Sequence, residues 1–183
     1  AELVNDDSSA ADAEIIATVI DCFNEIGISD FQIEIGQIDY FKGLVAESGI
    51  SEDEEDQIKE YIHIKNFFGL EEYVDALDIS DSLKKAFVAF DSLFGGISML
   101  DKAEGYVSNE TSLEAVKRLR RVYAALECYG YQDHISFDLG MLDGYNYYTG
   151  IIFRGYTYGT GDAVVKGGRY NNLLKQFGKD APS

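Results

Sequence analysis

The feature that most constrains this fold is one short predicted strand that lies far from every other strand in the sequence. Phe31, Ile33 and Ile35 alternate with polar residues, which is typical of a strand with one buried face. A lone strand is not stable in water, so it must pair with strands beyond a long helical stretch, residues 37–130. The later strands are predicted at 134–139, 145–156 and 162–166. This order predicts an α+β fold in which a helical insertion interrupts an antiparallel sheet.

The same pattern predicts the domain boundaries. We expect residues 1–37 and 131–183 to form the sheet domain, and residues 38–130 to form a helical insertion domain. The last three strands are expected to form an antiparallel meander, followed by a helix that runs from Gly167-Gly168 to Phe177. Both ends of the chain fall next to predicted elements, so we expect a fragment of a longer protein.

Local signals mark where several helices begin and end. Two pairs of residues have the capping-box spacing, in which a hydroxyl residue precedes a glutamate by three positions; they are Ser51 with Glu54 and Thr111 with Glu114. Gly49 and Gly130 follow apolar helical patterns and are predicted to end their helices.

The charge of the chain excludes some functions. The formal net charge is −18, and residues 1–60 contribute most of it, with 17 acidic and 2 basic residues. Such a chain repels phosphate backbones, so general nucleic-acid binding is not expected. No apolar run approaches the length of a membrane span, and Cys22 and Cys128 are predicted to be buried, reduced thiols of a cytoplasmic protein. No metal-ligand spacing is present, and neither a metal nor a cofactor is expected.

Two strings in the last third of the chain are candidates for a binding site. They are Asp143-Gly-Tyr-Asn-Tyr-Tyr-Thr-Gly-Ile-Ile-Phe153 and Gly167-Gly-Arg-Tyr-Asn-Asn-Leu-Leu174. Paired tyrosines on neighbouring strands can hold a flat ring and donate hydrogen bonds to it, while the glycines allow close approach. The same tyrosines are equally typical of an aromatic face packed on a helix, and the residues alone leave both interpretations open.

Taken together, the strings resemble the histidyl-tRNA synthetase family, a subgroup of the class II synthetases. The enzymes have Arg-Gly-Leu-Asp-Tyr-Tyr-Asn-Arg-Thr-Val-Phe-Glu and Gly-Gly-Arg-Tyr-Asp at these places. Glu2 and Ala11-Asp-Ala-Glu14 resemble the stretch after the family's second motif. The resemblance implies a partial class II antiparallel sheet, with the helical block as the family's insertion domain. It also implies a histidine-binding set, in which Glu2 and Tyr148 contact the imidazole, Tyr170 forms a wall, and Tyr147 and Gly168 lie beside them.

The departures from the enzyme pattern point to a non-catalytic branch. Asp143 occupies the place of the catalytic arginine, whose replacement by a carboxylate would repel the substrate carboxylate and the adenylate phosphate. Gly150 replaces a second arginine, and Arg154 replaces a glutamate. We therefore expect no catalytic residues here.

The departures resemble the regulatory-subunit branch, which assembles with the short-form catalytic subunit of ATP phosphoribosyltransferase in the first step of histidine biosynthesis. This resemblance implies histidine as a feedback ligand and a homo-oligomeric full-length protein. Two alternatives remain: an active histidyl-tRNA synthetase and a helical interaction module.

Overall fold

A computed structural model describes residues 1–142, 147–172, 178 and 182. In this part of the chain the helices are α1 (Ser9–Glu25), α2 (Ile38–Ser48), α3 (Glu52–His63), α4 (Phe67–Asp75), α5 (Asp81–Val88), α6 (Met99–Gly105) and α7 (Glu110–Tyr129). The strands are β1 (Phe31–Gln37), β2 (Phe94–Gly95), β3 (Ile135–Asp138), β4 (Ile151–Thr157) and β5 (Val165–Gly168). Short 3-10 turns occupy Ala89–Asp91 and Gln132–His134.

The predicted fold class is confirmed, with the early strand β1 at the centre of a five-stranded sheet of order β2-β3-β1-β4-β5. The predicted antiparallel meander is wrong in one respect. Strand β3 runs parallel to β1, with Ile33 opposite Ile135, and β1 separates β3 from β4. Helix α7 returns the chain to the end of the sheet where β1 begins, so the next strand must run in the same direction. The pairs β1–β4, β4–β5 and β2–β3 are antiparallel.

The later strands begin further along the chain than predicted. Strand β4 begins at Ile151, because residues 147–150 form a turn and loop, and β5 begins at Val165. The two-residue strand β2 at Phe94–Gly95 lies within residues 37–130, the stretch that the sequence predicted to be helical. The predicted helix after Gly168 lies largely outside the described residues.

The helix-end predictions are confirmed with one exception. The Ser51–Glu54 capping box is present, with the Ser51 N–H donating to Glu54 Oε2 at 2.7 Å, and Gly49 and Gly130 follow their helices with φ of +65° and +80°. Helix α7 is instead capped by Asn109, whose Oδ1 accepts from the Ser112 N–H at 2.7 Å. Thr111 already lies inside the helix, so its hydroxyl cannot serve as the cap.

One face of the sheet packs against α1 and α7. Ile33 and Ile35 of β1 are fully buried there, together with Ile16, Ile20 and Leu119 of the helices. Their cluster continues into the helical segment, where the Tyr40 hydroxyl donates to the Ala103 carbonyl at 2.9 Å. The division into a sheet domain and an insertion domain stays a prediction.

The expectation of buried cysteines is wrong. Cys22 and Cys128 are both exposed, because each lies on the outer face of its helix rather than on the apolar stripe. Among the described helices, none has both the length and the apolar character needed to cross a membrane.

Candidate functional site

A cavity of about 300 Å³ lies between the N-terminal segment, α1, β4 and β5. All five residues predicted to bind histidine line it, although they come from distant parts of the sequence; they are Glu2, Tyr147, Tyr148, Gly168 and Tyr170. The structure therefore brings the whole predicted set together. Its volume is at the small end of the range for ligand pockets, which favours a ligand of amino-acid size.

Three tyrosine rings form one side of this cavity. Tyr147 lies edge-on to Tyr148, with ring centroids 5.1 Å apart and planes inclined by 79°. Tyr147 also stacks on Tyr170, with centroids 5.6 Å apart and planes inclined by 29°. Such rings offer a flat, apolar surface for another ring and leave their hydroxyls available for hydrogen bonds.

Beside the tyrosine rings, the polar groups are the Glu2 carboxylate and protonated phenols. The Tyr170 hydroxyl donates a hydrogen bond to Glu2 Oε1, which holds the carboxylate beside the tyrosines. Burial, with the Glu2 hydrogen bond as a second cause, raises the pKa of Tyr170 to about 12. Burial also raises the pKa of Tyr148, with a smaller contribution from Tyr147. Both phenols therefore keep their protons at neutral pH, and the Glu2 carboxylate is the acceptor for a donating ligand.

Gly168 allows β5 to approach the Tyr148 ring closely. A Cβ atom at this position would lie 2.8 Å from the Ile151 carbonyl oxygen and 2.8 Å from Tyr148 Cδ1. Side chains of the sheet and of α1 complete the apolar lining, namely Ile15, Val19, Ile151, Phe153 and Val165.

A buried ion-pair network forms the polar edge of the cavity, and the sequence prediction assigned it no role. The Asp12 side chain is 5% exposed. Its Oδ1 accepts from Arg169 Nε at 2.9 Å, and its Oδ2 accepts from Arg118 Nε at 2.8 Å. Both Asp12 and Arg169 lie within the strings that carry the family resemblance, but only the fold shows that they meet.

Backbone hydrogen bonds join the two tyrosine segments at this edge. The Arg169 N–H donates to the Ile151 carbonyl at 2.7 Å, and the Thr149 N–H donates to the Arg169 carbonyl at 2.7 Å. The Asn171 N–H donates to Thr149 Oγ1 at 2.9 Å. The loop that carries Tyr147 and the segment that carries Tyr170 are therefore held together as one unit.

The N-terminal segment is held against the same unit. Arg169 Nη1 donates to the Asp6 carbonyl at 3.0 Å, and it lies 3.3 Å from Asp7 Oδ1. The Asn5 N–H donates to the Pro182 carbonyl at 2.7 Å. These contacts fix the chain three to five residues after Glu2, and so limit where the Glu2 carboxylate lies.

The positions that depart from the enzyme pattern are placed as follows. Asp143 lies outside the described residues. Gly150 is buried at the end of the loop before β4, and a Cβ there would lie 3.4 Å from Arg169 Cδ. Arg154 pairs with Glu34 across β1 and β4, and strand alternation places it on the face opposite Phe153 and the cavity.

The site has the character of a binding pocket. In the part of the chain that the structure describes, no group of three or more His, Cys, Asp or Glu side chains is arranged to hold a metal ion. The charged side chains that line the cavity are Glu2, the paired Asp12 and Arg169, and Lys166. Such an arrangement suits a small molecule that has a flat ring with an N–H donor and an apolar stem.

Comparisons with family models and with known proteins point to the same family. A family model described as Histidyl-tRNA synthetase matches residues 1–183. The ATP phosphoribosyltransferase regulatory subunit of Acetivibrio thermocellus is 43% identical over 182 residues, which cover 100% of this chain and 44% of that protein. The chain thus spans about half the length of the curated relatives it matches.

Solved structures agree on the fold. A protein from Bacillus halodurans, described as an ATP phosphoribosyltransferase regulatory subunit/histidyl-tRNA synthetase, superposes with a TM-score of 0.91 at 32% identity, covering 98% of this chain and 48% of that one. A chain of the ATP phosphoribosyl transferase (HisG:HisZ) complex from Thermotoga maritima superposes with a TM-score of 0.74 at 18% identity, covering 98% and 61%. At the second identity the likeness concerns the fold alone.

Proposed function

Because the chain belongs to the histidyl-tRNA synthetase family, we propose that it is part of a regulatory subunit of ATP phosphoribosyltransferase and binds histidine as a feedback ligand. The observation that carries this proposal is the cavity in which Glu2, Tyr148 and Tyr170 converge. The names of the similar proteins from Acetivibrio thermocellus and Clostridium acetobutylicum, both ATP phosphoribosyltransferase regulatory subunits, support the regulatory role.

In this proposal each site residue has one task. The Glu2 carboxylate accepts a hydrogen bond from one imidazole nitrogen, and the Tyr148 hydroxyl donates to the other. Tyr170 orients Glu2 and forms the wall against which the ring packs, with Tyr147 behind it. Gly168 leaves the space that the Tyr148 ring occupies. A carboxylate at residue 143 disfavours substrate activation, because it repels the carboxylate and phosphate groups that the enzymes stabilise at this place.

Calorimetric titration of the complete protein with histidine, in the presence of its catalytic subunit, tests the ligand. We expect saturable heat, and a weaker affinity for the Tyr148→Phe variant, by about three- to tenfold, because one hydrogen bond is lost. Tyr158→Phe is the matched control, since Tyr158 is 88% exposed and does not line the cavity. Absence of heat with the wild-type protein would refute the ligand assignment.

The proposed partner is the short-form catalytic subunit, which acts in the first step of histidine biosynthesis in the cytoplasm. Feedback requires that histidine bind one assembly state more tightly than another. The two full-length proteins are expected to elute together from a sizing column, with the regulatory subunit itself a homo-oligomer. Separate elution at micromolar concentrations would contradict the regulatory assignment.

Two other functions make different predictions. An active histidyl-tRNA synthetase would catalyse histidine-dependent pyrophosphate exchange, which the intact protein is expected not to do. A helical interaction module, formed by residues 38–130 as an insertion domain, would retain every ligand response after Tyr148→Phe. We favour the regulatory subunit over the synthetase because Asp143 stands in place of the catalytic arginine, and over the helical module because the cavity brings the ring-binding residues together.

A further inference from the structure

We infer that Arg118, which lies outside the cavity on helix α7, is a positioning residue of the ligand site and acts through Asp12 and Arg169. This inference rests on the proposed histidine site. It means that a residue of helix α7 helps to set the geometry of that site. Arg118 does not line the cavity, whereas Asp12 and Arg169 do. It belongs to the helix that packs against both α1 and α2, so it connects the site to the helical segment.

The two arginines bind different oxygens of the Asp12 carboxylate. Arg169 binds only Oδ1, through Nε at 2.9 Å and Nη2 at 2.8 Å. Arg118 binds only Oδ2, through Nε at 2.8 Å and Nη2 at 2.8 Å. Each guanidinium therefore satisfies one oxygen of a carboxylate that is almost fully buried. Loss of Arg118 would leave Oδ2 without these donors, and the carboxylate would turn toward Arg169 to recover them.

Movement of Arg169 would change the positions of both Tyr170 and Glu2 in the site. Arg169 lies directly between Gly168 and Tyr170 in the chain, and its backbone bonds to Ile151 and Thr149. Its guanidinium also donates to the carbonyl of Asp6, which lies four residues after Glu2 in the N-terminal segment. A shift of Arg169 would thus displace Tyr170 and Glu2, which are joined by a hydrogen bond.

Arg118 also holds the N-terminal segment directly. Its Nη2 donates to the Asp7 carbonyl at 3.1 Å and lies 3.5 Å from Asp7 Oδ1. The Asp7 carboxylate lies 3.3 Å from Arg169 as well. The two arginines therefore fix the same stretch of chain from two sides, which is a stronger constraint on Glu2 than either would supply alone.

The test compares Arg118→Gln with Arg120→Gln in the full-length protein. Arg120 is the matched control, because it lies two positions further along α7 and pairs with Asp101 and Glu104 on α6, away from the cavity. We expect Arg118→Gln to weaken histidine binding about tenfold and Arg120→Gln less than about twofold. Arg118→Lys should recover only part of the affinity, since it restores the charge that faces Asp12 but not the two guanidinium nitrogens that hold Oδ2.

A double-mutant cycle shows whether the effect passes through the site. In a Tyr170→Phe background, which already lacks the hydrogen bond to Glu2, Arg118→Gln should cost less than about threefold. The positioning role is wrong if Arg118→Gln and Arg120→Gln weaken histidine binding equally. It is also wrong if Arg118→Gln weakens binding by the same factor in the wild-type and Tyr170→Phe backgrounds. In either case the histidine site itself stands.

Amide hydrogen exchange tests the same inference without a ligand. The Arg169 and Asn171 amides, which bond to Ile151 and Thr149, should exchange at least about tenfold faster in Arg118→Gln than in Arg120→Gln. If the wild-type protein binds no histidine, the proposed function fails, and the exchange rates alone decide whether Arg118 orders the cavity. Equal exchange in the two variants would then overturn the inference.

Discussion

Gly168→Ala perturbs the cavity at its tightest point. The added Cβ would lie 2.8 Å from the Ile151 carbonyl oxygen and 2.8–2.9 Å from two carbons of the Tyr148 ring. Ordinary contacts begin at 3.4 Å, so β5 or the Tyr148 ring must move by about 0.6 Å. Overpacking of this kind costs about 1–3 kcal/mol of unfolding free energy, and displacement of the tyrosine would remove its proposed hydrogen bond to histidine. We expect both a less stable protein and histidine binding weakened by about tenfold.

Urea denaturation and histidine calorimetry measure these two effects in the full-length protein. Gly161→Ala is the matched control, because a Cβ at that glycine meets nothing within 4 Å. This control should be neutral or slightly stabilising, by up to about 1 kcal/mol, since alanine restricts the unfolded chain. If Gly168→Ala is as stable as Gly161→Ala, the close packing is wrong. If it is destabilised but binds histidine normally, the assignment of Tyr148 to the ligand is wrong.

Three further variants test the fold. Tyr40→Phe removes the buried hydrogen bond to Ala103 and should cost about 1 kcal/mol in urea denaturation; an unchanged midpoint would contradict that bond. Ser51→Ala removes the capping box with Glu54 and should lower the stability by a similar amount, about 1 kcal/mol, in the same assay; unchanged stability would contradict the cap. Burial raises the pKa of Asp138 above its ordinary value of 3.8, so the folded state binds this proton more tightly than the unfolded state. The associated stability is therefore lost as the pH rises through the raised pKa. The stability of Asp138→Asn relative to the wild type should increase as the pH rises from about 4 through that pKa; a constant difference would refute the shift.

Local sequence patterns predicted the elements that depend on nearby residues. The alternation of Phe31, Ile33 and Ile35 predicted β1, and the spacing of Ser51 and Glu54 predicted the start of α3. Both signals act within a few residues, because strand pleating and helix capping are local geometries. The cap of α7 was misplaced at Thr111 for the same reason, since a second polar residue, Asn109, lies two positions earlier and makes the bond instead.

The family motifs predicted which residues form the cavity. Glu2, Tyr147, Tyr148, Gly168 and Tyr170 were selected from three separate strings, and the fold places all of them on one cavity. Their binding of histidine stays a prediction. The motifs did not predict the role of Asp12. Its partners Arg118 and Arg169 lie more than a hundred residues away, and no periodic pattern links them to it.

The sequence by itself determined most of the element types, the need for β1 to join distant strands, and five of the residues that line the cavity. Only the tertiary structure decided that β3 runs parallel to β1, that Cys22 and Cys128 face outward, and that one buried carboxylate joins the cavity to α7. The physical reason is the distance along the chain over which each kind of interaction acts. Propensity, capping and alternation act between neighbours in the chain, whereas strand direction, burial and ion pairing depend on where the packing of the whole chain brings distant residues together.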